Sequence, residues 1–209
     1  DVWAVGTSFV EPATAAAITI VSSNANDTAA GTGARTVLIE YIDSNYDSVT
    51  VTVTMNGTTP VAVGTGWHVN RGYVVTAGSN AGAVGSLTMS SAAAGTPVLS
   101  RILATYNHTM SSIYMVPAGY SLYLKRLDMG IQSNNANGTA DACLFFKPLG
   151  GVFRIVDNML FREGGTTDGT HEYSTYRVFA EKSIIKARIV AASHACDVHC
   201  VYSSKLVLN

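Results

Sequence analysis

The chain has 209 residues, and its 13% charged content is far below the roughly 25% of ordinary soluble domains. Thirteen Lys and Arg against fourteen Asp and Glu give a net charge of −1, which excludes a basic footprint for a phosphate backbone, so no nucleic-acid partner is expected. No apolar run approaches the ~20 residues of a membrane-spanning helix, and a surface this poor in charge favours association over a dispersed monomer.

Along the chain, period-2 alternation dominates. The first fifteen residues, with Trp3, Phe9 and Pro12, carry apolar anchors without a period and are expected to form an arm (1–15) that reaches onto a neighbour. The opening DVWAVGTSFV lacks a basic n-region and a long apolar stretch, so no signal peptide is expected. The Ala-rich segment 11–17 admits a turn of helix. Strands are predicted at 16–22 and 35–43, on either side of a polar, glycine-rich stretch at 24–33. The cleanest strand is 48–55, where Val49, Val51, Val53 and Met55 alternate with Thr50, Thr52 and Thr54. Asn56-Gly57 follows and predicts a hairpin whose return strand runs through Val61 and Val63. Segments 70–76 and 84–90 flank a small-residue turn at 77–83.

The small, aperiodic run 90–96 reads as the junction between two strand-rich halves, 16–95 and 96–209. Beyond it, strands are predicted at 98–104, 112–116, 121–129, 140–147, 151–161, 173–180, 183–190 and 197–207. Pro117-Ala118-Gly119 and Asn137-Gly138 supply turns, the latter pairing 140–147 with the strand before it. In 183–190, Ile185, Ala187 and Ile189 alternate strictly with Lys186 and Arg188, which favours strand over helix. The expected fold class is all-β, an antiparallel β-sandwich or jelly roll: 16–95 a β-sandwich unit and 96–209 a jelly-roll-like unit. No repeat of the solenoid or propeller kind occurs.

Chemistry-bearing residues are few. His194, Cys196, His199 and Cys200 are zinc-type ligands. On one strand, however, His199 points away from the other three, so Cys143 or His171 would have to complete a site, and no metal is expected. Three cysteines imply no disulfide framework; Cys196 and Cys200 on one strand stand roughly 13 Å apart, beyond the ~7 Å a bridge allows. Gly78-Ser79-Asn80-Ala81-Gly82 is not a nucleophile elbow. Gly31-Thr32-Gly33 precedes a strand rather than the helix a phosphate loop needs, so both segments read as turns. Glu163, Glu172 and Glu181 have no spacing that suggests a glycosidase pair. Neither catalytic nor cofactor-binding residues are predicted, and the chain is expected not to be an enzyme. Four sequons, beginning at Asn26, Asn56, Asn107 and Asn137, follow from a composition rich in Asn and Thr. Ten tyrosines are the more plausible binding groups, because Tyr joins an apolar ring to a polar tip. Trp3, Phe9, Tyr41, Tyr73, Tyr114 and Tyr123 are the expected interface residues.

Several stretches resemble a family of capsid decoration, or cement, proteins of tailed bacteriophages. They are DTAAGTGARTV at 27–37, MNGTTPV at 55–61, VNRGYVVTAGSNAGAVGSLTM at 69–89, SSIYMVPAGYSLYLKRL at 111–127, GGVFRIVDN at 150–158 and the closing VYSSKLVLN. The likeness begins near residue 16 and leaves out the first fifteen residues and 194–200. It implies a jelly-roll protein that assembles in the host cytoplasm as a homotrimer and binds the major capsid protein on the outside of the head, stabilising it through subunit contacts. The rival reading is a tail-fibre or adhesin module that binds a host receptor; against it stands the absence of a long repetitive shaft.

Overall fold

The computed structural model describes residues 1–92, 97–133, 139–162, 166–194 and 196–209. The chain is all-β, with no helix among the described residues. It divides into two compact units, Trp3–Ser111 and a second made of Asp1–Val2 with Ser112–Asn209.

The Trp3–Ser111 unit holds β1 (Ala16–Ser22), β2 (Ala34–Asp43), β3 (Ser48–Thr54), β4 (Val61–Ala77), β5 (Leu87–Ser91) and β6 (Val98–Ile102). They form one antiparallel sheet in the order β3-β2-β4-β1-β5-β6. β4 is the organising strand. Its first residues pair with β1 (Ile18↔Gly64, Ala16↔Gly66), and from Gly66 onward it pairs with β2 (Asp43↔Gly66, Ile39↔Gly72). One strand therefore meets different neighbours on its two edges along successive stretches, and register slips in both ladders, at Ile18/Thr19 and at Ile42/Asp43, bend it between them. Glycine is required at the bend. A β-carbon on Gly64 would lie 2.2 Å from the Tyr41 hydroxyl oxygen, and one on Gly66 would lie 2.1 Å from the Ile42 carbonyl oxygen. The sheet curls over a core that includes Ile18, Ile20, Ile39, Leu87, Met89 and Leu99, all fully buried.

The second unit holds β7 (Tyr114–Met115), β8 (Tyr120–Ser133), β9 (Thr139–Lys147), β10 (Arg154–Arg162), β11 (Thr166–Phe179), β12 (Ile184–Ala192) and β13 (Cys196–Leu208). Two antiparallel sheets, β10-β9-β12-β7 and β11-β8-β13, share one core. The pairs nest: β9 with β10, β8 with β11, β7 with β12. Nested antiparallel pairs folded across two sheets are the winding of a jelly roll; here it has six strands, with β13 added along β8. Leu124, Leu127 and Met129 of β8 meet Leu144 of β9 and Ile185 and Ala187 of β12 in its interior.

Four local expectations change. The junction expected at 90–96 is not the divide: β5 and β6 are hydrogen-bonded neighbours (Leu87↔Ile102), so the chain between them joins a hairpin, and the units part at Ser111 and Ser112. Small polar residues suit a hairpin connection as well as a linker; residues 93–96 themselves lie outside the described residues. Asn56-Gly57 is a turn, with Gly57 at φ +60°, but it does not join a hairpin, because β2 lies between β3 and β4. The true hairpin is β2–β3, whose loop is held by the Asp43 carboxylate accepting from the amides of Asn45 (2.7 Å) and Asp47 (2.9 Å). The Asn137-Gly138 turn lies outside the described residues, and β9 pairs with β10 and β12 rather than with β8. The segment 11–17 is not helical; β1 begins at Ala16.

The predicted arm is also taken up by its own chain. Ala4 N–H donates to the Met110 carbonyl at 3.1 Å, and Trp3 bridges to Ser111. Phe9 is 6% exposed, edge-on to Trp3 at 5.7 Å and to the buried His68 at 5.2 Å.

Candidate functional site

Two irregularities face each other in the second unit. β11 follows β8 in register as far as Glu172↔Arg126 and resumes at Arg177↔Leu124, so residues 173–176 stand opposite the single Lys125. On β10 the register against β9 slips between Ile155 and Asp157. Bulges of this kind bend a strand and re-aim its side chains. Here they bring Asp157 to His171 and Tyr173. The Asp157 carboxylate accepts from the Tyr173 hydroxyl and from His171 Nδ1, the latter at 2.9 Å. The His171 and Tyr173 rings stack at 4.5 Å, and the Arg177 guanidinium lies 5.1 Å from the Tyr173 ring centre.

Lys125 holds the bulge open. Its ammonium donates to the Tyr173 carbonyl at 2.7 Å and stands 3.8 Å from Glu172 and 5.9 Å from the centre of the Tyr176 ring. On the same ring, Lys205 of β13 places its ammonium 4.8 Å from the centre, and Tyr123 meets it edge-on at 5.8 Å. Tyr176 remains 44% exposed. The bulge encloses an open depression of about 410 Å³ lined by residues 171–177.

The electrostatics fix what the cluster can donate and accept. Burial pushes the Tyr173 phenol well up, and its bond to Asp157 adds to the rise, so it stays protonated and donates to Asp157. Asp157 is occupied by two donors, the Tyr173 hydroxyl and His171 Nδ1. What the lining offers to a ligand is the Tyr176 ring, the His171 imidazole, the Arg177 guanidinium and two hydroxyls, with the Lys125 and Lys205 ammonium groups set against the same Tyr176 ring, a mixture suited to holding a small polar molecule.

The expected interface residues separate into two groups. Phe9 and Tyr41, at 6% and 8% exposure, belong to this chain's own interior and are closed to a neighbour. Tyr41 is committed because its ring covers the glycines at the β4 bend. Tyr114 packs partly buried against the second core, and Trp3 is engaged with Phe9, its indole N–H donating to the Thr7 carbonyl. Tyr73 is 39% exposed on β4, bridged to His108, and Tyr123 is half-buried at the rim of the bulge; these two remain open to contact.

The other candidates resolve into structure. Among the described residues no group of three His, Cys, Asp or Glu side chains is placed to hold a metal. Cys143 is buried in β9, Cys200 packs against the core, and His194 contacts Ser193 Oγ at 3.0 Å; the Cys196 side chain lies outside the described residues. The two glycine turns interlock: Gly78 N–H donates to the Gly33 carbonyl at 2.8 Å and Asn80 N–H to the Thr32 carbonyl at 2.9 Å. Glu181 accepts from the Gly119 amide and Glu172 pairs with Lys125, so each acid has separate work; Glu163 lies outside the described residues. Asn107 is consumed by the Ala83 amide and the Ala81 carbonyl.

Sequence reasoning touched this site at His171, Glu172 and the tyrosines, Tyr123 and Tyr176 among them. It missed Lys125, Asp157, Arg177 and Lys205. The available signal was HEYSTYR at 171–177, a polar and aromatic run that interrupts alternation where a strand was expected. In the Trp3–Ser111 unit a further missed residue is Asp27, fully buried, whose carboxylate accepts from the amides of Ala34, Val84 and Gly85 and from the Ser22 hydroxyl. Comparison with known protein families, with curated proteins and with solved structures finds no match for this chain.

Proposed function

We propose that this protein is a non-catalytic structural component of a tailed-phage particle, a decoration protein that binds the outside of the head as a homotrimer and ties neighbouring capsid subunits together. The observation that carries this reading is the apolar surface of the second unit. Leu149, Val152, Ile155 and Leu160, on and beside the β10 edge, are 56–67% exposed, and Val201 and Leu208 of β13 are 56% and 71% exposed. Side chains of this size on a chain with so little charge favour burial against another subunit. Among the described residues β10 lies at the edge of its sheet, and an edge strand presents backbone groups that can pair with another chain. Lasting association takes interfaces of about 2,000 Å² or more, largely apolar, and a jelly roll with apolar edges can supply them. The sequence resemblance to decoration proteins and the all-β fold support the same reading.

The test is to measure the mass of the purified chain in solution and its occupancy on heads that lack it. A trimer is expected, with head binding reduced by the paired change Ile155→Lys and Leu160→Lys while the circular dichroism spectrum is unchanged. A monomer at micromolar concentration would refute the trimer. Labelling confined to the tail tip would transfer the protein to the receptor-binding class.

A further inference from the structure

We infer that the depression at the β11 bulge is a binding site for acidic saccharides, that is, sugar units bearing a carboxylate. The inference does not depend on where in a particle the chain resides. Its first support is charge placement. In a chain with only thirteen cationic side chains, Lys125, Lys205 and Arg177 gather around the neighbouring rings of Tyr173 and Tyr176. The exposed acid facing them is Glu172, which Lys125 meets at 3.8 Å; Asp157 is 9% exposed and already accepts from Tyr173 and His171. Among the described residues Lys205 has no carboxylate in ion-pair range, so its ammonium is held by tyrosine faces alone, 4.8 Å from Tyr176 and 5.9 Å from Tyr123. A cation fixed in this way is preorganised for a carboxylate, which binds with a charge-assisted bond and little loss of side-chain freedom.

The second support is shape and lining. The depression of about 410 Å³ falls within the range of small-molecule sites, about 300–1,000 Å³. It is open on one side, so one unit of a longer saccharide can sit in it while the rest passes outside. Sugars present C–H faces to aromatic rings and alternate hydroxyls to donors and acceptors. The lining provides both, in Tyr176, Ser174, Thr175 and the half-exposed His171. A nucleic acid is disfavoured, because a net charge of −1 supplies no extended field along a phosphate backbone. An acidic peptide would satisfy the cations and the hydroxyls but has no flat C–H ring face to lay on Tyr176, so hexaglutamate serves as the discriminating competitor below.

The test titrates the full chain with a galacturonic acid trimer, with a sialic acid trimer and with maltotriose, followed by amide and ring resonances. The acidic trimers should bind with dissociation constants on the order of 1 mM or below and should weaken as salt is raised. Maltotriose should bind about tenfold more weakly, the scale of one charge-assisted bond. Lys205→Gln and Tyr176→Ala, both at exposed positions, should each weaken binding about fivefold or more at unchanged melting temperature. Arg71→Gln, in the other unit, should leave it intact. The inference is overturned if neither acidic trimer binds at millimolar concentration, if maltotriose binds equally well, or if Lys205→Gln is without effect. Tighter binding of hexaglutamate than of either acidic trimer would overturn it in favour of a protein carboxylate partner.

Discussion

Replacing Asp27 by Asn changes one atom in a fully buried side chain and should unfold much of what holds the Trp3–Ser111 unit together. Oδ1 accepts from the amides of Ala34 (2.7 Å) and Val84 (2.9 Å), and Oδ2 accepts from the Gly85 amide (2.8 Å) and the Ser22 hydroxyl (2.5 Å). The Asp27 backbone carbonyl also receives the Gly57 amide at 2.7 Å, so one residue gathers the ends of β1, β2 and β3 and the start of β5. Four donors converge, and a carboxylate is the side chain that can answer all of them. An amide with its NH₂ toward Ala34 and Val84 opposes two N–H donors; turned the other way it opposes the Gly85 amide alone, because the Ser22 hydroxyl can accept instead of donating. In the better orientation one bond to a charged acceptor is lost, worth about 1.5–3 kcal/mol, and the bonds that remain go to a neutral oxygen. Relief from burying a charge offsets part of this, leaving about 2 kcal/mol of destabilisation. For a unit of this size, at about 4 °C per kcal/mol, the melting temperature should fall by about 8 °C.

Calorimetry of the full chain reads the shift, and native-state amide exchange reads its origin. In Asp27→Asn the amides of Ala34, Val84 and Gly85 should lose protection more than the β1–β4 ladder does. Ser22→Ala removes one donor and should lower stability by about 1 kcal/mol. A melting temperature within about 3 °C of the parent, with unchanged exchange at those three amides, would refute the view that this carboxylate organises the unit.

Two further outcomes follow from the same structure. Phe9→Ala should destabilise the Trp3–Ser111 unit by about 3–5 kcal/mol, the cost of emptying a large buried aromatic site, as read by chemical denaturation; an unchanged midpoint would show that residues 1–15 are a detachable arm after all. The Cys200 thiol, pushed by burial from 9.0 up to about 12, keeps its proton in the folded chain after the unfolded chain has lost it. Its stabilising contribution is therefore complete below pH 9 and is lost as pH rises toward 12. Parent protein should lose stability across that window more steeply than Cys200→Ala. In a Cys196→Ser background neither Cys143 nor Cys200 should react with a disulfide reagent until denaturant is added; equal slopes or rapid native labelling would contradict the burial argument.

What was legible in the sequence was each strand that buries one face against a complete neighbour. The limits of β1 match the predicted ones, and Val53 and Met55 point into the core as their alternation requires. The failures fall where partners distant in sequence decide. β4 reads as two strands because Gly64 and Gly66 break the apolar pattern, yet those glycines keep it one strand by admitting the Tyr41 ring. The first half of β11 has almost no apolar alternation. It is a strand because β8 supplies the ladder, and Gly169 leaves room for Phe161 and Met159. Asn56-Gly57 encodes its turn faithfully, but turn chemistry is local and says nothing about β2 lying between the strands it separates.

The bulge was illegible for a related reason. Lys125, Asp157, Tyr176 and Lys205 lie on four different strands, and each alone reads as an ordinary polar position on an exposed face. Only the unequal count, residues 173–176 against Lys125, turns them toward one place. Such an interruption frees backbone groups from the ladder and is costly unless other groups satisfy them. The Lys125 ammonium supplies one such partner at the Tyr173 carbonyl, while Asp157, from a neighbouring bulge, anchors the side chain of the same residue by accepting from its hydroxyl. An edge strand could have ended its pairing at Glu172 more simply, by stopping. That the chain instead continues through a braced bulge and rejoins the same partner at Arg177 is the strongest physical reason to seek a ligand here, and to seek partner subunits on the apolar edges elsewhere in the unit.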